Sequence, residues 1–217
     1  GNKISGSSHI LSSTIAGGYS NSISADCSFI GGGCLNNICS GESFAVIGGG
    51  YCNKVDSDYS FIGGGCKNCV CMNCSVIVGG RDHLNNSRFS FIGGGCVNTI
   101  DSACWGHAIV MGALSQICTA NNANNFIGGG QRNCIHCNSE NTTIGGGVGN
   151  IICRTSGTDF GSTIAGGALS FISGSHASTI GGGCQNYINS ADHTVIAGGI
   201  FNTASAACSF IGGGESN

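Results

Sequence analysis

The sequence predicts an all-β fold, a narrow parallel β-roll (β-solenoid) of about 13 coils of roughly 15 residues each. Three observations lead there: one short unit recurs along the whole chain, 41 glycines argue against helices, and proline is absent. The reference unit is Ser90-Phe91-Ile92-Gly93-Gly94-Gly95-Cys96-Val97-Asn98. With Ile92 as anchor, equivalent residues are Ile15, Ile30, Ile47, Ile62, Ile77, Ile109, Ile127, Ile144, Ile164, Ile180, Ile196 and Ile211. The steps between successive anchors are 15, 17, 15, 15, 15, 17, 18, 17, 20, 16, 16 and 15 residues. Self-similarity at so short a period signals stacked coils.

Each column around the anchor has a physical role. Two residues before it stands a small polar residue, as at Ser28, Ser60, Ser90, Thr142 and Ser178; two after it stands Gly in every unit but one, where Met111 intrudes. Alternation along a strand puts these on the anchor's side, facing a common interior. The glycines allow the backbone to turn or approach a neighbour closely. Six residues after the anchor comes Asn in most units, with His83, Ser115 and Ser170 as exceptions. Asn suits a tight corner, tolerating the left-handed region and hydrogen-bonding along a stack. Eight after the anchor a second aliphatic column (Ile23, Ile38, Val55, Val70, Ile100 and onward) starts another short strand, broken at Asn85 and Ala204. Two strands and two corners fill the period. Absence of proline keeps every N–H available to the coil above or below. The anchor isoleucines form the core column.

The residue just before the anchor points the other way, yet it is bulky or apolar: Phe29, Val46, Phe61, Val76, Phe91, Phe126, Val195 and Phe210. A face left to water is polar; an apolar stripe marks a partner-binding face. Phe29, Phe61, Phe91, Phe126 and Phe210 are therefore the interface column, with self-association through cyclic symmetry as the expectation. A flattened coil that buries both faces is the plainer alternative.

Composition narrows the function classes. Charged residues make up 8% against about 25% in ordinary soluble domains, and the net charge is −3 without a basic patch. Nucleic acid and anionic membranes are poor partners for such a surface. No apolar run approaches the ~20 residues that span a bilayer. The unbroken repeat argues for one solenoid domain over 1–217. Both termini fall inside the repeat pattern, so we expect an excerpt of a longer array or a subunit that stacks end to end; at ~4.8 Å per coil, thirteen coils make a rod of about 60 Å. Insertions lengthen three units, at 101–107 with the single Trp105, at 119–125, and at 153–161. In solenoids these become loops on one face, tolerated there or used for binding.

The coil Ser60-Phe61-Ile62-Gly63-Gly64-Gly65 with Asn68, and its variant Asn202-Thr203-Ala204-Ser205, resembles the head repeats of trimeric autotransporter adhesins and the Gly-Gly-x-x-Asn repeats of phage, giant-virus and environmental fibre proteins. The resemblance covers essentially the whole chain. It implies a left-handed β-roll, a homotrimer and an extracellular, cell-surface or virion-fibre location, with no catalytic residues, metal or cofactor. The sixteen cysteines depart from that pattern.

The cysteines fall in columns. Equivalent positions in neighbouring coils lie ~4.8 Å apart, inside disulfide range. Cys52 is thereby placed near Cys34 or Cys66, and Cys137 near Cys118 or Cys153, as candidate disulfides. Cys66-x-x-Cys69-x-Cys71-x-x-Cys74 and Cys134-x-x-Cys137 have zinc-like spacing, but the repeat already accounts for Cys66, Cys71 and Cys74, and we assign no metal. Carboxylates are dispersed, Asp56 and Asp58 reading as turn residues, and the six His stand apart from any nucleophile. A short Thr run (Thr143, Thr163, Thr179) falls short of the paired Thr columns that ice binding needs. Asn73, Asn85 and Asn141 open glycosylation sequons. The expectation is a non-enzymatic structural fibre or adhesin-head segment; the alternative is a module that binds a host-surface glycan or protein through the insertions at 101–107 and 153–161.

Overall fold

The computed structural model describes residues 1–5, 12–39, 43–109, 111–119 and 124–217, with side chains for all of these except 103, 104, 137 and 154–159. The described residues are all β, without a helix, and parallel strands stack as β-solenoid coils, about 12 turns in total. Thirteen sequence units make about twelve turns because a turn closes only between one anchor strand and the next. The chain divides into two compact units, Gly1–Thr99 and Ile100–Asn217.

In the first unit the anchor strands Thr14–Ile15, Phe29–Ile30, Val46–Ile47, Phe61–Ile62, Val76–Ile77 and Phe91–Ile92 pair in sequence order, isoleucine opposite isoleucine. A second parallel sheet runs through Lys3–Ile4, Ser22–Ile23, Asn37–Ile38, Lys54–Val55, Cys69–Val70 and Leu84–Arg88. The coil has a third side that the columns did not announce. Single parallel bridges join Tyr19, Cys34, Tyr51, Cys66, Arg81 and Cys96 in turn. Each coil is therefore three-sided, where two strands and two corners were expected.

The second unit repeats the plan. Anchor strands Ala108–Ile109, Phe126–Ile127, Thr143–Ile144, Thr163–Ile164, Thr179–Ile180, Val195–Ile196 and Phe210–Ile211 pair in register. Bridges link Ala113, Gln131, Val148, Ala168, Cys184, Ile200 and Glu215. The insertion at 153–161 is carried within the strand Ile151–Phe160, which pairs with Cys134–Glu140 on both sides of a register shift. Cys137 lies opposite Arg154 and Ser139 opposite Asp159, so the ends of the insertion stay in the ladder while residues 155–158 bulge against Asn138. Thr99–Trp105 is a strand of seven residues. The extension at 119–125 falls largely outside the described residues.

Two apolar columns and two polar ladders fill the interior. Every anchor isoleucine is fully buried except Ile15 and Ile211, which are half-buried. The second aliphatic column, from Ile23 through Ile188, is equally buried. At about 1.5–3 kcal/mol per buried aliphatic side chain, these columns are the main driving force. Asn85, which breaks the second column, is buried too, and its Nδ2 donates to the Ser90 carbonyl at 3.1 Å.

The Asn column does more than turn a corner. Its members are buried and form a ladder: the Asn36 N–H donates to Asn21 Oδ1, Asn53 N–H to Asn36 Oδ1, and Asn68 N–H to Asn53 Oδ1, each at 3.0 Å. Each Nδ2 clamps two glycine carbonyls, for Asn68 those of Gly64 and Gly80. The left-handed backbone expected of Asn belongs instead to the residue before it: Leu35, Cys52, Lys67, Asp82 and Val97 have φ of 54–58°. Asn stays in an ordinary conformation because its side chain must point inward to reach the glycine carbonyls. At two of the three exceptions the ladder persists, with His83 Nδ1 accepting from the Asn98 N–H at 3.0 Å and Ser170 Oγ from the Asn186 N–H at 3.4 Å. A second ladder runs through the small polar column, where Ser28 N–H donates to Ser13 Oγ and Thr194 N–H to Ser178 Oγ.

Gly65 shows why the corner after the anchor is glycine. Its φ is +91°, and a Cβ there would run into the carbonyl oxygen of Gly80 in the next coil.

Candidate functional site

The interior is filled by its own columns and ladders, so whatever the protein recognises must meet outward columns. The residue before each anchor faces out, and the plainer alternative of a coil burying both faces does not hold. Phe29, Phe61, Phe91 and Phe126 are 37–40% exposed, and Phe210 is 73% exposed. The rings lie along the sheet: a Cβ on Gly63 would sit 3.3 Å from Phe61 Cε1, and one on Gly128 the same distance from Phe126 Cε1. Glycine after the anchor thus leaves a shelf on which the preceding ring rests. In the first unit the face reads Phe29, Val46, Phe61, Val76, Phe91, one side chain per coil. In the second it begins Ala108, Phe126 and passes into Thr143, Thr163 and Thr179 before Val195 and Phe210.

Other outward features are local. Phe44 and Tyr59 stack with ring centres 5.1 Å apart at a corner of adjacent coils. In the second unit an open groove of about 210 Å³ is lined by Gly149, Ile151, Leu169, Ser170, Phe171, Gln185 and Tyr187, the Phe171 and Tyr187 rings lying 5.8 Å apart. Trp105 and Phe160, on the two lengthened strands, are more than half exposed. The side chains of 154–159 lie outside the described residues.

Cys34, Cys52, Cys66, Cys118 and Cys153 stand as reduced thiols, and Cys137 lies outside the described side chains. Register explains the separations. Tyr51 sits between Cys34 and Cys66, while Cys52 is one residue further on at a corner with φ of 55°. His136, not Cys137, stands opposite both Cys118 and Cys153. Counted from their anchors, Cys52 stands at +5 against +4 for Cys34 and Cys66, and Cys137 at +10 against +9 for Cys118 and Cys153; a one-residue offset turns a side chain to the other face.

Cys39, Cys69 and Cys118 are not poised as nucleophiles. Burial pushes Cys39 and Cys118 up, and a hydrogen bond with Cys71 followed by burial pushes Cys69 strongly up. An activated thiol needs the opposite shift. Asp56 is held below the usual carboxylate range by Lys54, 2.8 Å away. His107 is buried beside Ser102, its Nε2 3.1 Å from Ser102 Oγ, and burial depresses it to about 4. No group of three or more His, Cys, Asp or Glu among the described residues is arranged to hold a metal ion. No helix of the described residues is long and apolar enough to cross a membrane. Compared with known proteins, the chain matches no family model and no curated sequence.

Proposed function

We propose that this chain is a structural, non-enzymatic segment of an extracellular or virion fibre that self-associates, as a homotrimer, through the face carrying Phe29, Phe61, Phe91, Phe126 and Phe210. The observation that carries this reading is a partly exposed Phe or Val just before the anchor in eight of the thirteen units, Phe in five of them, on one face of a charge-poor solenoid. Identical chains cover identical stripes by rotation about a common axis. The resemblance of the Ser60–Asn68 coil to trimeric adhesin-head and fibre repeats points to the same assembly, and left-handed coiling goes with it. Sedimentation equilibrium tests it: a mass about three times 21.6 kDa is expected, and a monomer at micromolar concentration rejects the self-associating face.

A second reading is favoured by the exposed Trp105 and Phe160: a module that contacts a host glycan or protein through the lengthened strands. Alanine at both positions separates the two. Lost attachment from an intact assembly supports the binding module; unchanged attachment supports the purely structural role.

A further inference from the structure

Cys69 and Cys71 stand two residues apart in extended chain, so their side chains share one side, and their sulfurs are 3.0 Å apart. Both are half-buried. Cys66 and Cys74, grouped with them by spacing, are placed elsewhere. Cys66 belongs to the bridge row between Tyr51 and Arg81, and Cys74 occupies a corner with φ of 59°. A tetrahedral four-ligand zinc centre of these cysteines is therefore not assembled. What is assembled is a two-sulfur clamp. Lys54 is Cys69's in-register neighbour in the preceding coil; its charge favours the Cys69 thiolate, while Asp56, paired with Lys54 at 2.8 Å, opposes it.

We propose that Cys69 and Cys71 bind one soft monovalent d10 cation of the Cu(I) class as a two-thiolate site. Thiolate donors select such ions over Mg²⁺ and Ca²⁺, which demand oxygen ligands. A singly charged d10 ion such as Cu(I) accepts two sulfurs in line, whereas the doubly charged zinc ion, also d10, is held by four ligands. With metal–sulfur bonds of about 2.3 Å the sulfurs must spread to roughly 4.6 Å, which rotation about the two χ1 bonds supplies. Binding exchanges protons and no electrons: two S–H bonds break, two S–Cu bonds form, and two protons leave. The product carries one net negative charge beside the Lys54 ammonium, which it shares with Asp56. Because both protons must be displaced, affinity falls as pH falls.

The test is anaerobic titration of the fully reduced chain with Cu(I) against bicinchoninate, following bound copper and released protons. Wild type is expected to hold one equivalent that Cys69→Ser and Cys71→Ser each weaken by more than about 100-fold, with Lys54→Ala weakening it about tenfold. The control Cys66→Ser/Cys74→Ser retains it. An equally tight equivalent in the Cys69 and Cys71 variants, or its loss in the control, overturns the assignment. An independent measurement uses the unmodified protein. Phenylarsine oxide, which needs two adjacent thiols, should add once and map to residues 68–81, the peptide between Lys67 and Arg81. No adduct there likewise overturns it.

Discussion

At the scale of single residues, the buried amides are the tightest constraint. Asn68 donates to two glycine carbonyls and accepts the His83 N–H at 3.1 Å. Asn68→Ala leaves those partners buried without a replacement, and we expect a loss of about 2–4 kcal/mol in denaturant unfolding. Asn68→Asp is no rescue, since a carboxylate cannot donate to either carbonyl. His107 supplies a pH dependence. Its folded-state value of about 4 lies below the ordinary ~6.5. Between those values the unfolded chain binds a proton that the folded chain refuses. Its contribution is thus complete above about pH 6.5 and is lost as pH falls toward 4, at most about 3 kcal/mol. Urea unfolding at pH 7.5 and 4.5 should show the loss, and His107→Gln should flatten it. His83 acts with the same sign: burial lowers it, and Nδ1 accepts from Asn98 only while unprotonated.

At the scale of the strand, inward and outward positions are adjacent and carry different jobs. Ile62 is fully buried and Phe61 39% exposed. Ile62→Ala opens a cavity in the core column and should cost about 2–5 kcal/mol. Phe61→Ser should cost only about 1 kcal/mol within the chain, while weakening self-association about tenfold by sedimentation. Equal effects of the two substitutions on stability, with none on assembly, would return the Phe column to the status of packing. Much of this was legible beforehand, because a period of two along the strand separates Phe from Ile without knowledge of the fold. The third side of the coil was not. Tyr19, Cys34, Tyr51, Cys66 and Arg81 mix aromatic, thiol and charged side chains, since the backbone makes the bridge and none of these side chains is buried.

At the scale of the whole molecule, each unit is a stack in which a coil touches its neighbours and little else. Stability in such architectures is close to a sum over coils and the interfaces between them. Substitutions within one coil should then add to those several coils away: Ile62→Ala and Ile180→Ala together should equal the sum of the singles to within about 0.5 kcal/mol. A large discrepancy in thermal or denaturant unfolding would mean that distant coils are coupled.

The amino-acid sequence by itself determined the coil: its length, its two buried aliphatic columns and its parallel register, because a repeated period of about 15 residues with inward Ile has one way to bury them all. The tertiary structure decided what lies opposite what. Backbone pairing follows distance from the anchor, so His136, nine residues after its anchor, meets Cys118 and Cys153 while Cys137 falls one place beyond; the residues expected to loop out at 153–161 stay paired at their ends and bulge at 155–158. It also decided the work of Asn. A side chain suited to a left-handed corner instead turns inward, because the carbonyls of two successive coils offer its amide more than the corner does.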